Sequence, residues 1–200
     1  TSSSETFSFV AISATWSGGA TLPSGLAAVL AGALSTTVSD TGSGFGSIAV
    51  TFSAADHNFD FLAAGQTLKI TYNVTVTDGF GVSSSQPMTV TITGTNDAPV
   101  LAVDASGPHT IIATPDTTGD NSPDSTSGLL TFTDVDLTDT HQASASAPTF
   151  AWSGGSLTAA QQAALVAAST LTLSKTDSTG SGAGSIGFTY SAADKSFDFL

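Results

Sequence analysis

The chain has 200 residues and a formal net charge of −13, from fifteen Asp and one Glu against three Lys and no Arg. Its hydrophobic fraction of 40% is that of a folding chain rather than a disordered one. Three scattered lysines cannot replace the counterions of a nucleic acid or an anionic membrane, so neither is an expected partner, whereas surplus carboxylates suit a hard cation, calcium first.

In chain order, the first strand is expected over residues 6–13. Trp16-Ser-Gly-Gly then turns the chain into a short helix, on which Leu26, Val29, Leu30 and Ala33 fall at helical spacing. A strand follows over residues 47–53. From Thr67 to Thr77 alternation is strict, with Leu68, Ile70, Tyr72, Val74 and Val76 on one face and Lys69, Thr71, Asn73 and Thr75 on the other. Residues 88–93 alternate likewise, and Asp78-Gly-Phe-Gly81 between the two marks a hairpin with a fairly long loop. Pro99 cannot donate to a ladder, so a domain boundary is placed there, dividing residues 1–99 from 100–200. Beyond it, strands are expected at 129–133, 149–152, 169–173 and 185–191, and Thr158-Ala-Ala-Gln161 reads as a capping box opening a second helix.

Residues 43–62 (SGFGSIAVTFSAADHNFDFL) align without gaps to 181–200 (SGAGSIGFTYSAADKSFDFL), identical at 14 of 20 positions. Trp16-Ser-Gly-Gly recurs as Trp152-Ser-Gly-Gly, so residues 1–62 and 139–200 are two copies of one segment and the middle occurs once. Short strands, Gly-rich turns and hairpins in a unit of this size predict an all-β class: tandem antiparallel β-sandwiches, each with a short helical insertion. The first would lack its opening strands and the second its C-terminal hairpin, leaving there an open groove or a borrowed strand. The expected core holds Phe52, Phe61, Leu68, Ile70, Tyr72, Val74, Val76, Val90 and Ile92, with Trp16 and Trp152 largely buried. Strand 67–77 is expected beside 47–53, since a nearby partner costs least loop-closure entropy.

The runs Asp60-Phe-Leu-Ala-Ala-Gly-Gln-Thr-Leu68, Tyr72-Asn-Val-Thr-Val-Thr-Asp78-Gly-Phe-Gly81 and Val90-Thr-Ile-Thr-Gly-Thr-Asn-Asp-Ala-Pro99 resemble the VCBS repeat of very large secreted bacterial adhesins. Gly128-Leu-Leu-Thr-Phe-Thr-Asp-Val-Asp136 resembles the opening of the same repeat. The resemblance implies Ig/cadherin-like sandwiches in tandem in RTX-type and biofilm-associated proteins, with calcium held between domains by acidic loops and an Asn-Asp linker. Where the family often has an early Glu-Asp pair, this chain reads Thr114-Pro115-Asp116.

On an extended strand end Asp134 and Asp136 share a side, with Asp139 close behind, so one ion can bridge them. By resemblance to cadherin linkers, Asn96 and Asp97 would join them, with Asp60 as a fifth contributor and Asp78 as a further one. Isolated residues such as Asp40 and Asp177 read as turn caps, and the loop Asp116 to Asp124 as solvated rather than metal-binding. The three His are far apart in sequence and no Ser stands in a nucleophile setting, so no enzyme is expected. The expected function is a calcium-stiffened structural spacer of a secreted, extracellular adhesin on the bacterial cell surface, active in cell adhesion and biofilm. Its partners are neighbouring repeats of the same chain, with surface glycans or proteins reached through other domains. The longest apolar run, residues 26–34, is too short to insert into a membrane. The alternative is a carbohydrate- or protein-binding β-sandwich module, for which exposed aromatic pairs would be the mark.

Overall fold

The computed structural model describes residues 6–19, 21–40, 45–115 and 118–199, apart from the side chains of Ile12 and Asp40. Antiparallel strands dominate, and the chain divides into two compact units. The first takes residues 1–98 with 135–138, and the second residues 99–134 with 139–200.

In the first unit β1 (Thr6–Trp16), β4 (Thr67–Thr77) and β5 (Ser83–Thr93) form one sheet in the order β1-β4-β5. Helix α1 (Leu26–Gly32) leads into a second sheet, the hairpin of β2 (Leu34–Asp40) and β3 (Gly46–Phe52). The alternation in β4 is realised in its first half, where Leu68, Ile70 and Tyr72 are wholly buried and Lys69 is exposed; from Asn73 to Thr77 both faces are half-buried, and the expected core residues Val74 and Val76 lie outside the core. Burial of Leu68, Ile70 and Tyr72 stabilises by roughly 1.5–3 kcal/mol each. They join Trp16, Leu26, Leu30, Leu34, Phe61 and Leu62, so the core draws on the helix and on both sheets. Phe52, Val90 and Ile92 pack half-buried against that core.

The strand partner differs from the expectation. β4 pairs with β1 and β5, while β3 pairs with β2, in the register Leu34 to Phe52 through Val38 to Ile48. The loop-closure argument itself holds, but β3 has a still nearer partner in β2. With only Leu34 and Val38 apolar among seven residues, β2 carries little periodicity, and its Thr and Val side chains are the one strand signal it offers.

The Trp-Ser-Gly-Gly turn is locked by contacts that only glycine permits. The Trp16 ring folds back over Gly19, where an added Cβ would come within 2.8 Å of it, and the Gln66 amide lies as tightly on Gly18. Trp16 donates its indole N–H to Gln66 Oε1 at 2.9 Å and meets Phe61 edge to face at 5.1 Å.

In the second unit β6 (Val100–Leu101), β7 (Pro123–Thr133), β8 (Ser169–Thr176) and β9 (Ala183–Ala193) form one sheet in the order β6-β7-β9-β8. Helix α2 (Ala159–Ala168) opens with the expected capping box, Thr158 accepting the Gln161 amide and Gln161 accepting the Thr158 amide. The strand expected at 149–152 is absent save for an isolated bridge between Trp152 and Gly155, and Trp152 is half-buried rather than buried. The physical reason is the lack of a neighbour: β1 is held in the first unit by β4, and among the described residues no strand pairs with 142–152 in the second. Its edge-to-face pairing survives nevertheless, Trp152 meeting Phe199 at 5.7 Å as Trp16 meets Phe61.

Ile70→Ala is expected to lower the unfolding free energy by about 2–5 kcal/mol in urea denaturation, and Lys69→Ala on the opposite face of β4 by about 0.5 kcal/mol or less.

Candidate functional site

Asp134 follows the last residue of β7 on the way into the loop that carries His141, and its amide donates to the Gly182 carbonyl at 3.1 Å. The His141 ring lies between two carboxylates, with Nε2 at 2.8 Å from Asp134 Oδ2 and Nδ1 at 2.7 Å from Asp177 Oδ1. Two ionised carboxylates at the two ring nitrogens favour the doubly protonated, positively charged ring. Lys175 donates to Asp177 and to the His141 carbonyl, and the His141 amide donates to Asp177 Oδ2 at 3.2 Å. Two carboxylates and two cations thus balance within one cluster. The hydrogen bonds of Asp177, then of Asp134, raise the His141 pKa, while Lys175 first and His141 second hold the Asp177 carboxyl far below the usual range.

The Ser178 hydroxyl lies 3.4 Å from His141 Nδ1, which invites comparison with a Ser-His-Asp arrangement. The chemistry does not follow. Asp177 holds that nitrogen more closely, an imidazolium has no lone pair to accept a proton, and Ser178 is fully buried away from any substrate. His109 Nε2 lies 2.6 Å from Asp104 Oδ2.

The seven expected metal ligands fall in different places. Asn96, Asp97, Asp136, Asp60 and Asp78 belong to the first unit, and Asp134 and Asp139 to the second. Asp136 is fully buried, and its Oδ2 accepts the Asp97 amide at 2.8 Å; Asn96 donates its side-chain amide to the Asp97 carbonyl at 2.6 Å. Asp78 Oδ1 accepts the amides of Phe80 and Val82, each at 2.9 Å, and so caps the β4–β5 loop. Asp139 is half-buried and its carbonyl accepts the Thr179 hydroxyl at 2.7 Å, and Asp60 is half-buried after a short 3-10 turn. Among the described residues no group of three or more His, Asp or Glu gathers closely enough to hold one ion.

Two features of the second unit were not legible in the sequence. Asp177, taken as a turn cap, is the hub of the His141 cluster, 36 residues from its partner in the chain. In the loop taken as solvated, Asp124 comes against the buried Asp194 and lies near Asp120. Asp194 Oδ1 accepts the Thr114 amide at 2.8 Å, and the Asp194 amide donates to the Ser122 carbonyl at 3.0 Å. Burial first, then the hydrogen bond and charge of Asp194, raise the Asp124 pKa. Asp116 lies outside the described residues.

No family model matches the chain, and no curated protein or solved structure matches it.

A raised His pKa contributes stability that is whole below the ordinary value of about 6.5 and lost as pH rises through the folded value; a depressed Asp pKa contributes stability that is whole above about 4 and lost as pH falls. The His141 cluster is therefore intact between those limits. The thermal midpoint is expected to fall on both sides of this window, and His141→Gln to flatten the alkaline limb. The raised Asp124 pKa works the other way, its contribution being present in acid and lost as pH rises through the folded value. Asp124→Asn is accordingly expected to raise the melting midpoint at neutral pH and to leave it unchanged near pH 3.

Proposed function

We propose that this chain is a structural spacer: tandem β-sandwich repeats of a secreted, extracellular bacterial cell-surface adhesin, with no catalytic role of its own. The observation that carries the reading is the duplication. The two copies keep not only sequence but hairpin register: Leu34 to Phe52 and Val38 to Ile48 in the first answer to Leu171 to Tyr190 and Lys175 to Ile186 in the second. A module repeated in one chain with its pairing intact suits a spacer, whereas active sites are rarely duplicated along one chain. The segments from Asp60 to Pro99 and from Gly128 to Asp136 that resemble VCBS repeats supply the adhesin context.

Calcium belongs to this reading through the acid surplus and the resemblance. The side chains do not fit a ready-made cage, since Asp134 is held by His141, Asp136 accepts the Asp97 amide and Asp78 caps a turn, so we assign no coordination to the ion. The glycan-binding alternative is disfavoured by the tryptophans. Trp16 is buried and Trp152 is half-buried in an edge-to-face pair with Phe199, so neither is a fully exposed aromatic of the kind a sugar platform uses.

Melting the chain in calcium and in chelator tests the ion. Binding to the folded form alone raises stability by roughly 2.7 kcal/mol at one hundred times Kd, so the wild-type midpoint is expected to be higher in calcium than in chelator. Equal wild-type midpoints would remove calcium and leave an acidic spacer. Saturable glycan binding by the same chain would replace the spacer with the alternative.

A further inference from the structure

The second unit has a hollow of about 220 Å³, lined by Ala145, Ser146, Pro148, Val166, Leu171 and Tyr190 among others. The duplication identifies what its counterpart holds in the first unit. Leu171 answers to Leu34 and Tyr190 to Phe52, the two residues that pair across the β2–β3 hairpin. In the first unit Leu34 is 5% exposed and shares one buried cluster with Leu68, Ile70 and Tyr72 of β4; Phe52 meets the Tyr72 ring at 6.4 Å. In the second unit Leu171 is 45% exposed and Val166, on α2, 46%. The hollow stands where β4 stands in the other copy.

The edge that would hold such a strand is also present. Residues 142–152 answer to β1, since Trp16-Ser-Gly-Gly matches Trp152-Ser-Gly-Gly. β1 forms its whole ladder with β4, whereas 142–152 has no ladder partner among the described residues beyond the isolated Trp152–Gly155 bridge. Its one residue unable to donate a hydrogen bond, Pro148, falls at the position of Ile12, and Ile12 is the residue that the β1–β4 register skips between Ala11 and Ser13. A bulged residue is left unpaired, so proline costs nothing there, while at the neighbouring paired positions it would remove a bond.

We propose that residues 142–152, with the hollow beside them, are an acceptor site for an antiparallel strand of β4 type, one that alternates large apolar residues with Thr, Lys and Asn and is supplied as a β4–β5 hairpin by another repeat of this sequence. The register follows from β1: Trp152 opposite Leu68, Phe150 opposite Ile70, Ala147 opposite Tyr72 and Ser146 opposite Asn73, with the bulge at Pro148. Ile70 and Tyr72 of the incoming strand cover Leu171 and Tyr190, and main-chain hydrogen bonds to 142–152 add affinity. The inference rests on the repeat reading of the duplicated segment and is independent of calcium.

The test adds a synthetic peptide of residues 63–95, a hairpin whose β4 edge is free, to the intact 200-residue chain. Amide hydrogen exchange is expected to slow on the order of tenfold or more across 143–151, with a change in Trp152 fluorescence, and a peptide bearing Ile70→Asn and Tyr72→Asn is expected to do neither. A second arm removes any question of peptide solubility by joining residues 63–98 directly after Leu200, the counterpart of Leu62. Residues 143–151 that remain unprotected in this extended chain, or protection that appears at the outer edge of β8 instead, would overturn the proposal. Either result would leave the calcium melts untouched, and a null calcium melt would leave the acceptor site standing.

Discussion

An antiparallel hairpin buries only one face, and something else must cover it; the rest of this molecule depends on what does. In the first unit the cover is β4, a strand with Leu68, Ile70 and Tyr72 at zero exposure, set between β1 and β5 and closed over α1, β2 and β3. The Tyr72 hydroxyl reaches the Leu30 carbonyl in α1 at 2.8 Å, which satisfies the one polar atom that β4 carries into the core. In the second unit the matching hairpin, β8 and β9, is extended sideways by β7 instead, through eleven paired positions from Pro123 to Thr133. Sideways extension satisfies backbone groups but does not cover a face, and the exposure of Leu171 follows.

Charge is the second constraint. A chain at −13 with three lysines has few cations to spend, and one cluster takes two of the positive groups, Lys175 and protonated His141, to hold Asp177 and Asp134. Elsewhere the carboxylates are turned on the backbone. Asp78, Asp104, Asp136 and Asp194 each accept main-chain amides. Asp124 is where that arrangement runs out, since Asp194 approaches it as a second acid and one of its oxygens is buried without a hydrogen bond.

What the sequence made legible were features written into neighbouring residues. The alternation of β4 is such a feature, as are the capping box at Thr158 and Gln161 and the Trp-Gly-Gly turn, where a ring must lie on a Cα with no side chain. The features that escaped depend on residues far apart or on weak patterns. β2 has two apolar residues in seven; β1 finds β4 some fifty residues on; His141 and Asp177 meet across a β-strand and a helix. In the acidic set, Asp residues chosen for chemistry could not be told from Asp residues chosen for turns, because both roles use the same oxygens.

The duplicated segment separates local from non-local control more sharply than either unit alone. β2–β3 and β8–β9 adopt one register despite differing at six of the twenty best-aligned positions, so pairing is set within the hairpin and its turn. Burial is not. Ser13-Ala-Thr-Trp16 lies in a strand, while its counterpart Thr149-Phe-Ala-Trp152 has only an isolated bridge to Gly155. Intrinsic propensity does not explain this, because Phe150 is a better strand former than the Ala14 it replaces. The difference lies in the companion: a strand needs a neighbour for its amides and carbonyls, and where β4 supplies one the same stretch of chain becomes β1.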